Sequence, residues 1–92
     1  MTATETRPVP AEDHLDLRTL ETREIPEALA DYLRACRLAG IFTVRIVHGE
    51  DGVLRETVWQ CLMKDALVAF FGQAPPEKGG QNATVVKLKK PV

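Results

Sequence analysis

The sequence contains no run of apolar residues near the ~20 that a membrane-crossing helix needs. Its opening, MTATETRPVPAEDH, has neither the basic start nor the apolar stretch of a signal peptide. A cytoplasmic protein with no membrane partner is therefore expected. Cysteine is scarce: Cys36 and Cys61 lie far apart, with no CxxC pair and no zinc spacing around them. Both fall on the apolar stripe of a predicted helix and read as small buried hydrophobes, not as a disulfide or metal ligands. An excess of positive charge is missing as well. Twelve Lys and Arg stand against 13 Asp and Glu, whereas a general nucleic-acid-binding domain is usually visibly basic. With 92 residues the chain has length for one core and not for a catalytic domain beside a binding domain. Any function must come from one small surface.

The residues that are present fall into an ordered pattern. Residues 1–13 are rich in Thr, Pro, Glu and Ala without periodicity and read as a flexible arm, leaving 14–92 as the folded unit. His14-Leu15-Asp16-Leu17-Arg18 alternates polar and apolar, the period of a strand with one buried face. Between Pro26 and Ala39 the residues Leu29, Leu33 and Cys36 recur at helical spacing, with Pro26 suited to the first turn and Gly40 to the stop. "IFTVRIVHG" is short and β-branched, a second strand ending at His48-Gly49. Leu54, Val58, Cys61 and Leu62 mark a second helix. "ALVAFF" and "ATVVKLK" then read as two more strands, separated by the Pro- and Gly-punctuated loop "GQAPPEKGGQN".

The predicted order is βαβαββ, an α/β fold in the form of an α+β two-layer sandwich. Right-handed crossovers place both helices on one face of the sheet and leave the other face to solvent. If Leu15, Leu17, Val44 and Ile46 face the helices, then Asp16, Arg18 and Arg45 face out, with Lys87 and Lys89 on one side of the last strand. The charge is also graded along the chain. Residues 1–40 carry eight acidic and five basic side chains, residues 41–92 five acidic and seven basic. The open face is thus expected to be mainly basic on a slightly acidic protein. Phe70, Phe71 and Trp59 sit in apolar stretches and are expected in the core.

Three stretches in this order, "LDLRTL" at 15–20, "HGEDGVLRE" at 48–56 and "APPEKGGQNATVVKLK" at 74–89, together resemble a small MutS-related (Smr) domain. The resemblance implies a mixed four-stranded sheet, similar to the C-terminal domain of translation initiation factor three. It also implies a nucleic-acid-acting module, associated with nicking of branched DNA and endonucleolytic cleavage of RNA. Asp16 and Arg18 then correspond to the acidic and His/Arg positions of the family's first motif, and His48 and Gly49 open its HGxGxG motif. The chain departs from the family at Thr19, which stands where glycine is usual, and in the loop, which is one residue shorter and carries Glu50 and Asp51.

Chemically, Gly49 and Gly52 flank a predicted helix N-terminus, where backbone N–H groups and the helix dipole favour an anion. Either a phosphate or the Asp51 carboxylate, a preferred capping type, is the occupant. Glu50 repels a phosphate, and Arg55, one turn into the helix, offsets that repulsion. Asp16, Arg18 and His48 form the candidate catalytic set. A histidine can move a proton, a carboxylate can orient it, and an arginine can hold charge on a phosphoryl oxygen. Because RNA supplies its own 2′-hydroxyl, this set needs no metal and no cofactor. His14, Asp16, His48 and Asp51 have no metal-ligand spacing, so no metal site is expected. Candidate nucleic-acid-binding residues are Arg45, Gly49, Gly52, Arg55, Lys78, Lys87 and Lys89. The sequence thus points to a binder of structured RNA or branched DNA and a possible endonuclease. The alternatives are a non-catalytic binding module, or a protein-interaction module in which Glu50 and Asp51 mark the loss of nucleic acid.

Overall fold

The computed structural model describes residues 13–90. The arm expected over 1–13 lies outside the described residues except for Asp13, where the first strand begins. The elements are β1 (Asp13–Asp16), α1 (Ile25–Leu38), β2 (Thr43–Val47), α2 (Gly52–Lys64), β3 (Val68–Gln73) and β4 (Ala83–Leu88), with short 3-10 turns before α1 and between β3 and β4. The βαβαββ order read from the sequence is the order observed.

Each helix follows from its apolar spacing and its ends. On α1, Ile25, Leu29, Leu33 and Cys36 are buried, a single stripe at helical period. Pro26 occupies its first turn, where no intrahelical N–H is needed. Gly40 takes φ +82°, the left-handed conformation that turns the chain out of the helix. On α2 the buried residues are Leu54, Val58 and Leu62, spaced by four.

The sheet order is β1-β2-β4-β3, parallel between β1 and β2 and antiparallel elsewhere. Val44, Ile46, Val86 and Leu88 on the sheet pack with Leu29 and Leu33 of α1 and with Leu54, Val58 and Leu62 of α2 in one core. Both helices therefore cover the same sheet face. Register sets the residues of the opposite face in rows. His14 lies beside Arg45, Arg45 beside Val85 and Val85 beside Gly72; Thr43 lies beside Lys87 and Lys87 beside Phe70.

Two expectations change. The first strand stops at Asp16 instead of continuing to Arg18: Leu17 is fully buried, as the alternation required, but Arg18 sits in the turn that follows. Phe70 is not in the core. A register shift between Val68 and Phe70 sends Phe70 outward, while Phe71 packs inward with its ring edge-on to Trp59 at 5.3 Å.

Candidate nucleic-acid interface

Parallel pairing of β1 and β2 brings Asp16 beside Val47, so the turn after β1 and the loop after β2 open at the same end of the sheet. In that turn Arg18 folds back onto Asp16. Its Nε donates to both carboxylate oxygens at 3.0 and 3.2 Å, and its Nη2 donates to Oδ2 at 2.7 Å. The backbone N–H of Arg18 donates to the same carboxylate at 3.0 Å. The arginine side-chain bonds, followed by that backbone bond, hold the Asp16 carboxyl down to about 2. Both side chains remain open to solvent, Arg18 at 60% and Asp16 at 41%.

The stem of Arg18 crosses Gly49. A Cβ at Gly49 would stand 3.3 Å from Arg18 Cδ, and Gly49 itself has φ +71°, so both space and backbone favour glycine there. Gly52 differs. Nothing lies within 4 Å of a Cβ at that position, and its φ is not positive.

His48 joins neither side chain of that pair. It is 1% exposed, with Nδ1 2.9 Å from the Gly49 carbonyl oxygen and Nε2 2.9 Å from Thr84 Oγ1. Trp59 Nε1 donates to the same Thr84 oxygen at 2.8 Å. The backbone N–H groups of His48 and Gly49 both donate to the Asn82 carbonyl, fixing the loop to the segment before β4. Burial pushes the His48 imidazole below its usual value. Thr84 was not among the residues singled out from the sequence. Its signal was there, since it shares a face with Val86 and Leu88 and so brings a hydroxyl into the core.

At the N-terminus of α2 the occupant is Asp51. Its Oδ1 accepts from the backbone N–H groups of Val53 at 2.9 Å and Leu54 at 3.2 Å, closing the amides that an external anion would use. Glu50 is exposed beside it. Arg55 lies 5.9 Å from the Trp59 ring centroid, a cation–π arrangement on the exposed side of α2.

The remaining basic candidates are spread over the molecule. Arg45, on the open sheet face, donates from Nη1 to the Lys78 carbonyl at 3.1 Å. Lys87, on the same face, donates to Thr43 Oγ1 at 3.2 Å. Lys89 follows β4 at the end of the sheet away from the loop, where its carbonyl accepts from Arg37 Nε. Among the described residues no three His, Cys, Asp or Glu side chains gather where they could hold a metal ion, and no helix is long and apolar enough to cross a membrane.

A four-stranded mixed sheet with two helices on one face, an open second face and a glycine loop beside an Asp–Arg fork defines a small α/β module. The chain belongs to the Smr domain family, whose model matches residues 15–89. It is 41% identical over 80 residues to Endonuclease MutS2 of Lactobacillus acidophilus, and 37% identical over 76 residues to that of Thermus thermophilus. These matches cover 86% and 82% of the chain but only 10% of each relative. Among solved structures it is similar to the Smr domain of Thermus thermophilus MutS2, with a TM-score of 0.79 and 36% identity over 84% of this chain and 98% of that one. It also shares its fold with YdaL, a stand-alone small MutS-related protein from Escherichia coli, with a TM-score of 0.78 at 24% identity over 84% of this chain and 64% of that one.

Proposed function

We propose that the chain is a nucleic-acid-binding module that meets the phosphate backbone of structured RNA at the edge formed by Arg18, Arg55 and the 49–52 loop. The observation that carries this reading is the Asp16–Arg18 fork. It uses Nε and Nη2 of an exposed arginine whose stem lies against Gly49 and leaves Nη1 for a phosphate oxygen. Asp51 keeps the α2 amides for itself, so phosphate recognition falls to side chains and not to the helix terminus. A module that binds RNA works where RNA is, and the same reading assigns it to the cytoplasm.

Cleavage of RNA or branched DNA is the second reading, favoured by the endonuclease activity in the name of the MutS2 relatives. In it the RNA 2′-hydroxyl attacks the adjacent phosphorus as the P–O5′ bond breaks; its proton passes to solvent water, and water protonates the departing 5′-oxygen. Arg18 stabilises charge on the phosphoryl oxygens, and on branched DNA water takes the place of the 2′-hydroxyl. Asp16, ionised at neutral pH, orients Arg18. His48, covered by the loop and Thr84, acts as a positioning residue for Gly49 and not as a proton carrier.

A labelled hairpin RNA and a four-way DNA junction, each with and without EDTA, test both readings. Binding of RNA is expected with an affinity that falls steeply with salt, and Arg18→Ala is expected to lower the salt slope by about one. Products formed by the wild type and lost in both Asp16→Ala and Arg18→Ala support cleavage. A wild-type protein that binds neither nucleic acid at low salt overturns the proposal.

A further inference from the structure

The large apolar side chains left exposed among the described residues are Leu38, Val53, Met63 and Phe70. The first three are on helices, whereas Phe70 lies on the open sheet face and is 63% exposed. The core does not require it there, because its neighbour Phe71 makes the inward contact with Trp59. The Phe70 ring leans along β3, with Cζ 3.7 Å from where a Cβ on Gly72 would stand. Its register partner is Lys87, and the nearby Gly72, Val85 and Thr43 on the two rows rise no higher than a branched methyl or hydroxyl. No large apolar side chain stands beside the ring on these rows.

Two cations lie on the same face, both to one side of this ring, because β3 is an edge strand. Lys87 is directly cross-strand from Phe70, and Arg45 lies on β2, one strand beyond β4. At ~4.8 Å between strands, the two stems start about 5 and 10 Å from β3 in the same direction, a track leading from the ring across the sheet. The ion pairs among the described residues are Arg18–Asp16, Arg23–Glu21 and Arg34–Asp31, so neither Lys87 nor Arg45 is neutralised by a carboxylate there. Every base presents a π-face to an aromatic ring, and its backbone presents anions to neighbouring cations.

We infer that the open sheet face is a single-stranded nucleic-acid site in which Phe70 stacks a base and Lys87 and Arg45 hold phosphates of the strand as it runs from that base across β4 and β2. This site rests on the nucleic-acid reading proposed above and extends it from the loop edge to the sheet. It accounts for an exposed aromatic residue and two unneutralised cations on one face of a protein with no net basic charge.

The test compares a labelled oligouridylate of about ten nucleotides with an abasic strand carrying the same number of phosphates, both followed by fluorescence anisotropy. Phe70→Ala is expected to weaken binding of the oligouridylate roughly 5- to 150-fold and to leave the abasic strand unaffected. Phe70→Tyr is expected to retain wild-type affinity, and Lys87→Ala to weaken both strands alike while lowering the salt slope by about one. Because Phe70 is exposed, the variants are expected to keep the wild-type circular dichroism spectrum. Wild-type affinity of Phe70→Ala for both strands, with binding lost in Arg18→Ala, overturns the sheet site and spares the proposed function. No binding of either strand by the wild type overturns both. Self-association of the wild type that Phe70→Ala abolishes makes the face a contact between copies and also overturns the site.

Discussion

The ring of His48 has a hydrogen-bond set that only its neutral form completes. With the proton on Nδ1, the ring donates to the Gly49 carbonyl and accepts the Thr84 hydroxyl hydrogen at Nε2; Thr84 Oγ1 in turn accepts from Trp59. A second ring proton turns Nε2 into a donor and strands the hydroxyl hydrogen of fully buried Thr84. Desolvation acts in the same direction. A histidine whose folded value is lowered leaves the unfolded chain holding more protons, so its stabilising effect is complete above the unfolded value of 6.5 and is lost as pH falls below it. Thermal melts are expected to show a falling Tm between about pH 6.5 and pH 5 in the wild type, with this slope absent in His48→Gln. Equal slopes in the two proteins would contradict the assignment. Asp16 acts in the same direction at lower pH. Its contribution is complete above the unfolded value of 3.8 and is lost as pH falls toward about 2, and its exposure keeps that contribution small.

At the scale of the elements, α2 begins on its own carboxylate. Asp51→Ala removes two hydrogen bonds to orphan amides and is expected to destabilise the protein by about 0.5–2 kcal/mol in urea unfolding. The same change removes a negative charge and uncovers those amides, so RNA affinity is expected to rise as stability falls. A loss of both would mean that the loop needs its cap to present Arg18. This competition was legible in the sequence, because a capping residue type stands immediately before the apolar stripe of Leu54, Val58 and Leu62. So were the element order and both helix stripes, which depend on spacing alone. The end of β1 was not legible. Alternation continues through Arg18, but the Asp16 carboxylate captures the Arg18 amide and turns the chain, a local bond that competes with the strand. The outward turn of Phe70 depends on a register shift that no period announces. His48 was legible as a strand-end residue next to Asp16, but its cover is not, because it comes from Thr84 and Trp59 on distant parts of the chain.

For the molecule as a whole, the sheet order has a consequence for synthesis. β4 is the last of the described strands to be made, yet it lies in the interior of the sheet and bonds to both β2 and β3. Until residues 83–88 have cleared the ribosome tunnel, β3 has no strand to pair with. Thr84, and with it the support of His48, is also missing until then. Helices α1 and α2 meanwhile expose apolar stripes meant for a sheet half built. A nascent chain halted after Asn82 is expected to be cut rapidly by protease, and one extended beyond residue 90 by enough linker to clear the tunnel is expected to resist it. Protection of the shorter chain would show that the fold assembles without its central strand. Vectorial synthesis thus gives this domain no partly folded stage to rest in, and the interval before β4 emerges is when its core is most open to chaperones.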